Sequence, residues 1–153
     1  MLHFAYGSNM NRAAMRRRCP TASAIGPARL DGWRFVITRG GYASIVPAPG
    51  ASVHGLLWQL GPRDLAALNT YEAIDRGLYR RRTILVAGAG GRVPALVYVA
   101  RDNRAGRPRP GYQQSVVTAA RAAAFPARYL RSLARWLPGR MHDQDAIRTG
   151  ASE

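Results

Sequence analysis

Lysine is absent from this sequence of 153 residues, and acidic residues are few. All 23 basic residues are arginine, against eight aspartates and glutamates, so the formal net charge is +15. A charge of this size attracts polyanions at low salt. The arginines are nevertheless scattered, and their clusters at 16–18, 80–82 and 101–109 lie in unlike contexts without the signature of a nucleic-acid-binding module. We therefore predict that nucleic acid is not the main partner.

Cysteine and histidine are also scarce. Cys19 is the single cysteine, which excludes an internal disulfide and any metal site built from several cysteines. A nucleophilic role for Cys19 is disfavoured, because no histidine lies nearby in the sequence and Pro20 indicates the end of a helix. The histidines His3, His54 and His142 lack the i, i+4 spacing of a zinc helix. We expect a protein without metal or other cofactor.

Long apolar runs are missing as well. The longest, such as residues 94–100, fall far short of a membrane span, and the N-terminus lacks the charged and apolar regions of a secretory signal. We expect a soluble, cytoplasmic protein that does not bind membranes. The length suits one domain, which we place at residues 1–139, followed by a polar tail at 140–153. The oligomeric state stays open, with a homodimer as one candidate.

The remaining patterns predict many short strands, one inserted helix and a helical C-terminal part. After the N-terminal strand, residues 22–30 and 33–38 are predicted strands joined by a hairpin turn at Asp31-Gly32. Residues 43–47 and 53–60 are two more, separated by a turn at Pro49-Gly50. The last two predicted strands are 79–87 and 93–100. The predicted helices are 11–18, one that opens at Gly61-Pro62, 112–124 and 126–137, with a mobile loop at 101–111. The most economical fold for this order is α+β, either a small mixed parallel and antiparallel β-barrel or a strongly curled sheet, flanked by helices.

The stretch from His3 to Met10 changes from a strand pattern to a sharp turn. Alternating, half-apolar residues up to Tyr6 suit a buried strand, and Gly7, Ser8 and Asn9 suit a turn that leads into a helix. A strand that ends in this way leaves several backbone N–H groups without ladder partners, and such groups can bind a carboxylate or a carbonyl oxygen. A plain turn with a capping residue is the alternative.

Glu72 is one of only two glutamates in the chain, and the other is the terminal Glu153. It follows a predicted helix, and a carboxylate at the C-terminal end of a helix is disfavoured by the helix dipole. A carboxyl group in that position has a raised pKa, as a general acid/base near neutral pH requires. Alternatively, Glu72 is a simple surface residue or the partner of Arg76 or Arg80.

Taken together, these motifs resemble the gamma-glutamylcyclotransferase family. The resemblance rests on Phe4-Ala5-Tyr6-Gly7-Ser8-Asn9, Gly26-Pro27-Ala28-Arg29-Leu30, Val53-His54-Gly55-Leu56-Leu57-Trp58, Tyr71-Glu72, Gly77-Leu78-Tyr79-Arg80-Arg81 and Pro110-Gly111-Tyr112. It implies a small mixed barrel that releases 5-oxoproline from gamma-glutamyl compounds by attack of the substrate's own α-amine, without metal or cofactor. It also implies that Glu72 is the catalytic acid/base and that the substrate is bound by Tyr6, Gly7, Ser8, Asn9, Tyr98 and Tyr112.

One departure from the family pattern leaves alternatives open. Ala73 stands where the family usually has glycine, and alanine is strained there if the backbone needs a positive φ. The gamma-glutamylamine branch, in which the leaving amine is a lysine side chain or another alkylamine, is therefore a second enzymatic hypothesis. A third, of another class, is a non-catalytic module that binds an anionic partner. An enzyme of this family needs the Glu72 carboxylate to face residues 6–9 across a cavity, and a binding module does not.

Overall fold

The computed structural model describes residues 1–73 and 76–139. In that part of the chain the strands are β1 (Leu2–Ala5), β2 (Ser23–Ile37), β3 (Ala43–Gln59), β4 (Tyr79–Gly88) and β5 (Gly91–Ala100). The helices there are α1 (Arg12–Arg18), α2 (Pro62–Tyr71), α3 (Tyr112–Ala122) and α4 (Ala127–Ala134), and Ser8–Met10 form a short 3-10 turn.

The strands close into a barrel in the order β1-β3-β2-β4-β5. Neighbouring strands are antiparallel except β1 and β5, which run parallel and pair at His3 and Leu96. The Nδ1–H of His3 donates to the Leu96 carbonyl oxygen at 3.1 Å and so reinforces the closure. The prediction of a mixed barrel flanked by helices is confirmed.

Two turns predicted in the first half of the chain do not reverse it. The hairpin at Asp31-Gly32 is wrong, because residues 23–37 form the single strand β2. The turn at Pro49-Gly50 is also wrong as a break between strands, because β3 runs without interruption from Ala43 to Gln59. The reversal lies instead between β2 and β3, where the Thr38 N–H donates to the Tyr42 carbonyl oxygen at 2.9 Å.

The same turn residues produce a local irregularity within the long β2–β3 pair. Asp31 lies opposite Ser52 and Trp33 lies opposite Pro47, so residues 48–51 face the single residue Gly32. Gly32 and Gly50 have φ values of +84° and +80°, which glycine adopts without strain. Bulges of this kind bend and twist a strand, and closing a small barrel from long strands requires such a bend. Asp-Gly and Pro-Gly therefore bend the two strands and do not end them.

The N-terminal ends of α1 and α2 are capped by side chains near them in sequence. The Asn11 side chain accepts a hydrogen bond from the Ala14 N–H at 2.9 Å, at the start of α1. Pro62 is the first residue of α2, and the buried Asp64 carboxylate accepts from the Gly61 N–H at 2.8 Å. The caps fix where each helix begins, and α1 and α2 pack against each other.

One hydrophobic core joins the barrel to the helices. Its fully buried side chains come from the strands, from α1 and α2 and from the C-terminal helices, and they include Phe4, Met15, Leu30, Ile45, Leu68 and Leu133. In the C-terminal part, α3 packs against α4 and against the Ser8–Met10 turn. This last contact brings the start of α3 next to the end of β1.

Residues 101–111, predicted as a mobile loop, are anchored to the turn between β2 and β3. The Gly106 N–H donates to the Ile37 carbonyl oxygen at 2.8 Å, and the Arg109 N–H donates to the Gly41 carbonyl oxygen at 3.1 Å. The proposed tail at 140–153, which includes His142, lies outside the described residues. The domain boundary at residue 139 therefore stays a prediction.

Candidate active site

The segment that follows β1 contains Tyr6, Gly7, Ser8 and Asn9 and turns the chain toward α1. The Met10 N–H donates to the Gly7 carbonyl oxygen at 3.1 Å and closes the 3-10 turn. A Cβ atom on Gly7 would lie 3.0 Å from the Tyr112 hydroxyl oxygen, closer than side-chain carbons normally approach. Glycine at position 7 therefore lets the turn lie directly against the start of α3.

Glu72 ends α2 beside this turn. It is the C-cap residue of the helix, and its N–H donates to the Leu68 carbonyl oxygen at 2.8 Å. Its carboxylate accepts a hydrogen bond from Asn9 Nδ2 at 3.3 Å, across 63 positions of sequence. The neighbouring Tyr71 hydroxyl shares a hydrogen bond of 2.9 Å with the Ser8 hydroxyl. The fold thus brings together the two motifs that the sequence singled out separately.

Burial raises the pKa of the Glu72 carboxyl group to about 7. The positive charge of Arg18 and the hydrogen bond from Asn9 oppose this rise without cancelling it. The sequence predicted a raised pKa from the helix dipole, whereas the main cause is removal of the carboxylate from water, which disfavours the charged form. A carboxyl group with this pKa can both take up and release a proton at neutral pH.

Tyr6, Tyr98 and Tyr112 present fixed hydroxyl groups around the same space. The Tyr6 hydroxyl donates to the Tyr98 carbonyl oxygen at 2.5 Å, and the Tyr98 hydroxyl donates to Asn69 Oδ1 at 2.7 Å. The Tyr112 hydroxyl accepts from the Ala43 N–H at 3.1 Å. Burial raises the pKa of all three tyrosines, so they are neutral at neutral pH.

A cavity of about 190 Å³ lies among these groups. One water needs roughly 10–15 Å³ of such space, so the cavity can hold a small organic molecule. Every residue that the sequence predicted for the site lies on its wall, namely Tyr6, Gly7, Ser8, Asn9, Glu72, Tyr98 and Tyr112. Among the described lining residues, Glu72 supplies the one carboxyl group and Arg76 supplies a cation.

Comparison with known proteins decides the family. Residues 3–116, well over half of the chain, match the family model described as gamma-glutamyl cyclotransferase, AIG2-like. The chain belongs to this family. It is 27% identical to the gamma-glutamylcyclotransferase of Homo sapiens over 86% of this chain and 76% of that protein, and 26% identical to that of Mus musculus over 99% and 90%. A solved structure of a gamma-glutamyl cyclotransferase superposes with a TM-score of 0.83 at 25% identity, covering 90% of this chain and 88% of that one.

Ala73, which stands where the family usually has glycine, has the positive φ at which alanine is predicted to be strained. The φ of Ala73 is +52°, and its carbonyl oxygen accepts from the N–H groups of Arg76 and Leu78 at 3.2 and 3.3 Å. A non-glycine residue in this conformation costs about 1–2 kcal/mol. Glu72 nevertheless reaches Asn9, so alanine at position 73 keeps the carboxylate beside the turn.

Sequence reasoning missed several residues at the site of this cyclotransferase-family protein. Arg18 Nη1 donates to Asn9 Oδ1 at 2.6 Å, and the guanidinium carbon lies 3.7 Å from the centroid of the Tyr71 ring. The Tyr79 hydroxyl donates to a backbone carbonyl oxygen, that of Ala43, at 2.7 Å. The cation that lowers the pKa of Glu72 is Arg18, whereas the sequence alternative named Arg76 or Arg80 as the partner of Glu72. No signal distinguished Arg18, since it is one of three consecutive arginines.

Other candidate groups do not join this site. Cys19 is buried, and burial raises the pKa of its thiol to about 11, so it offers no reactive thiolate. Within residues 1–73 and 76–139, no cluster of three or more His, Cys, Asp and Glu side chains is placed to hold a metal ion. In the same ranges, no helix is long and apolar enough to cross a membrane. The absence of a cofactor requirement stays a prediction.

Proposed function

We propose that the protein is a gamma-glutamylcyclotransferase that releases 5-oxoproline from a gamma-glutamyl compound. The observation that carries the proposal is the Glu72 carboxylate, which lies 3.3 Å from Asn9 of the turn after β1, on the wall of a shared cavity. The activity named for the human and mouse relatives supports the same reaction. Glu72 is the proposed catalytic residue, and Tyr6, Gly7, Ser8, Asn9, Tyr98 and Tyr112 are the proposed substrate-binding residues.

The proposed reaction uses the substrate's own α-amine as nucleophile. The α-nitrogen attacks the γ-carbonyl carbon, the bond from that carbon to the departing nitrogen breaks, and a five-membered lactam remains. Two protons leave the α-ammonium group overall, and two end on the released amine. Glu72 takes one proton as a base and returns it as an acid, and the other passes through water. A carboxyl pKa of about 7 suits both roles.

Holding the glutamyl chain in a curled conformation supplies much of the rate. Well-oriented intramolecular reactions reach effective molarities of about 10⁵–10⁸ M. In the proposed reaction, backbone N–H groups of residues 6–9 bind the α-carboxylate or the oxygen that becomes anionic, and one such donor contributes roughly 3–4 kcal/mol to the transition state. Tyr98 and Tyr112, whose hydroxyls are held by hydrogen bonds, give the cavity a fixed shape.

The charge at the cavity supports an amino acid as the leaving group. Arg76 lines the cavity, and a guanidinium group binds a carboxylate well and repels an ammonium group. A gamma-glutamyl amino acid carries a carboxylate and no ammonium group on its departing half. A simple alkylamine carries no carboxylate, and a lysine joined through its side chain carries an α-ammonium group beside its carboxylate. We therefore place this protein with enzymes that act on gamma-glutamyl amino acids, ahead of the gamma-glutamylamine branch.

A substrate panel tests the activity and the leaving group together. The protein is incubated with gamma-glutamyl amino acids and with gamma-glutamyl alkylamides, and 5-oxoproline is quantified by mass spectrometry. We expect product from amino acid conjugates, with a KM that rises in Arg76→Ala for these substrates and not for the alkylamides. Preference for alkylamides would favour the gamma-glutamylamine branch, and no product from any member would refute the activity.

A non-catalytic basic module has less support from the geometry. The contact between the Glu72 carboxylate and Asn9 of the turn, on the wall of a shared cavity, supports the enzymatic hypothesis over the binding module. Fluorescence anisotropy with a DNA duplex over a salt series tests the alternative, since phosphate binding weakens steeply with salt. Weak binding at physiological salt is the expected result. The cytoplasmic location and the oligomeric state, with a homodimer as one candidate, stay predictions.

A further inference from the structure

Arg18 differs from the two arginines that precede it. Arg16 and Arg17 are exposed, whereas Arg18, the last residue of α1, is partly buried. Its Nη1 donates to Asn9 Oδ1 at 2.6 Å, and its guanidinium carbon lies 3.7 Å from the centroid of the Tyr71 ring. The cation–π contact holds the guanidinium plane against α2. Both partners of Arg18 lie next to Glu72: Asn9 donates a hydrogen bond to the Glu72 carboxylate, and Tyr71 precedes Glu72 in the chain.

The contact with Arg18 fixes which way the Asn9 amide faces. A guanidinium group only donates hydrogen bonds, so the amide oxygen must point at Arg18. The amide nitrogen then points at Glu72 and donates to its carboxylate at 3.3 Å. In the reversed orientation the amide oxygen would lie beside the carboxylate, where two acceptors repel each other. That orientation suits only the protonated carboxyl group, which can donate.

We propose that Arg18 is a positioning residue, which orients the Asn9 amide toward Glu72 and favours the ionised form of the acid/base before the substrate binds. The proposal rests on the proposed function, because it concerns the same carboxyl group. It assigns to Arg18 an effect that acts through Asn9 and needs no contact with the substrate.

The other titratable groups around Glu72 do not supply this effect. Among the described residues that line the cavity, they are His3 on β1, Tyr6 after β1, Tyr71 on α2, Tyr79 on β4, Tyr98 on β5, Tyr112 on α3 and the cation Arg76. Burial lowers the pKa of His3 to about 4, so its ring is neutral at neutral pH. Burial raises the pKa of the tyrosines on β4, β5 and α3, which remain neutral hydroxyls. Arg18 and the Asn9 hydrogen bond are the influences that lower the pKa of Glu72, and burial acts against them.

The two glutamates of the chain allow a direct test that does not depend on activity. Protein labelled with ¹³C at the glutamate carboxyl carbon should give two carboxyl signals, from Glu72 and Glu153, and Glu72→Gln identifies them. In wild type we expect the Glu72 signal to titrate near pH 7. In Arg18→Met its midpoint should rise by about one pH unit, since a nearby opposite charge lowers a carboxyl pKa by roughly 1–3 units.

Matched variants separate the proposed role from a general charge effect. Arg17→Met removes the same charge from the same helix at an exposed position, where solvent and salt screen it, and should leave the midpoint nearly unchanged. Arg18→Lys keeps the charge and a donor for Asn9, and should restore most of the wild-type midpoint. Tyr71→Leu removes only the stacking surface, so it should raise the midpoint by less than Arg18→Met.

The pH profile of kcat/KM provides the second readout. The acidic limb should move to higher pH in Arg18→Met, so the loss of activity is up to about tenfold below pH 7 and diminishes toward pH 9. If Arg18→Met does not fold, Arg18→Gln, which also removes the charge, carries the test through the midpoint together with Tyr71→Leu. A Glu72 midpoint that stays at the wild-type value in every folded variant of Arg18 and Tyr71 overturns the proposal. Because this midpoint is measured without substrate, its result is independent of whether the cyclotransferase proposal holds.

Discussion

At the scale of single residues, two opposing effects set the pKa of Glu72. Removal of the carboxyl group from water raises the pKa, whereas Arg18 and Asn9 lower it, and burial prevails. A net value near 7 lets the carboxyl group exchange a proton at neutral pH. Burial alone therefore gives Glu72 the pKa that the proposed acid/base role requires, without a second carboxylate.

The positive φ of Ala73 gives a prediction about strain. Ala73→Gly should stabilise the fold by about 0.5–1 kcal/mol, because relief of the left-handed conformation outweighs the added freedom of glycine in the unfolded chain. Ala124, with a φ of +55° at the end of α3, is the matched control, and Ala124→Gly should give a similar gain. Urea denaturation measures both.

The activity of the same variant tests whether Ala73 misplaces the carboxylate. Since Glu72 already reaches Asn9 with alanine at position 73, kcat/KM of Ala73→Gly should lie within about threefold of wild type. A gain of more than tenfold in Ala73→Gly, absent in Ala124→Gly, would show that alanine holds Glu72 in a poor position.

The sequence identified some site residues and could not identify others, for a physical reason. The turn at residues 6–9 has an unusual local composition, and Glu72 is conspicuous because glutamate is rare in this chain. Arg18 does not stand out in the sequence in this way, because arginine is the commonest charged residue of the chain and most arginines are ordinary surface residues. Its role depends on the distance to Asn9 and Tyr71, which only the packing of α1 against α2 determines.

At the scale of elements, the β2–β3 pair shows where sequence reasoning failed. Asp31-Gly32 and Pro49-Gly50 carry turn chemistry, and the prediction took each as a chain reversal. Both are used within a continuous antiparallel pair, where they face each other and form a bulge. Local sequence indicates that the backbone bends at these positions, but pairing with the opposite strand decides whether the bend ends the strand. The hairpin of β4 and β5 was predicted nearly correctly, because the turn residues between Gly88 and Gly91 do end the two strands.

A second prediction concerns Gly50 in this bulge. Gly50→Ala should destabilise the protein by about 1–2 kcal/mol, because alanine is strained at a φ of +80° although no neighbouring atom obstructs its Cβ. Gly90 lies in equally open space with a φ outside the left-handed region, so Gly90→Ala should change the stability by no more than about 0.5 kcal/mol. Equal urea midpoints for the two variants would show that the bulge does not need glycine.

At the scale of the whole molecule, barrel closure assembles the cavity from distant parts of the chain. Its wall takes Tyr6 from the end of β1, Glu72 from the end of α2, Tyr98 from β5 and Tyr112 from the start of α3. The order and number of predicted elements left a barrel or a strongly curled sheet as the fold, and the family resemblance implied the barrel. The dimensions of the cavity could not be predicted, because they depend on close approaches such as that of Gly7 to Tyr112.

The raised pKa of Glu72 predicts a cost in global stability. Between about pH 4.5 and 7 the folded protein keeps a proton on Glu72 that the unfolded chain has released, so the free energy of unfolding falls as the pH rises through this range. Glu72→Gln removes this effect. It should match wild type near pH 4 and be more stable by up to about 3 kcal/mol at pH 8. Urea denaturation at both pH values measures the difference, and a variant no more stable than wild type at pH 8 would contradict the assigned pKa.

The rate of 5-oxoproline formation by Glu72→Gln tests most directly whether Glu72 is the acid/base. Glutamine keeps the size of the side chain and cannot exchange a proton, so kcat on a gamma-glutamyl amino acid should fall by about 10²–10⁴-fold while the variant stays folded. Activity of the folded variant close to that of wild type would show that the proton transfer does not pass through Glu72.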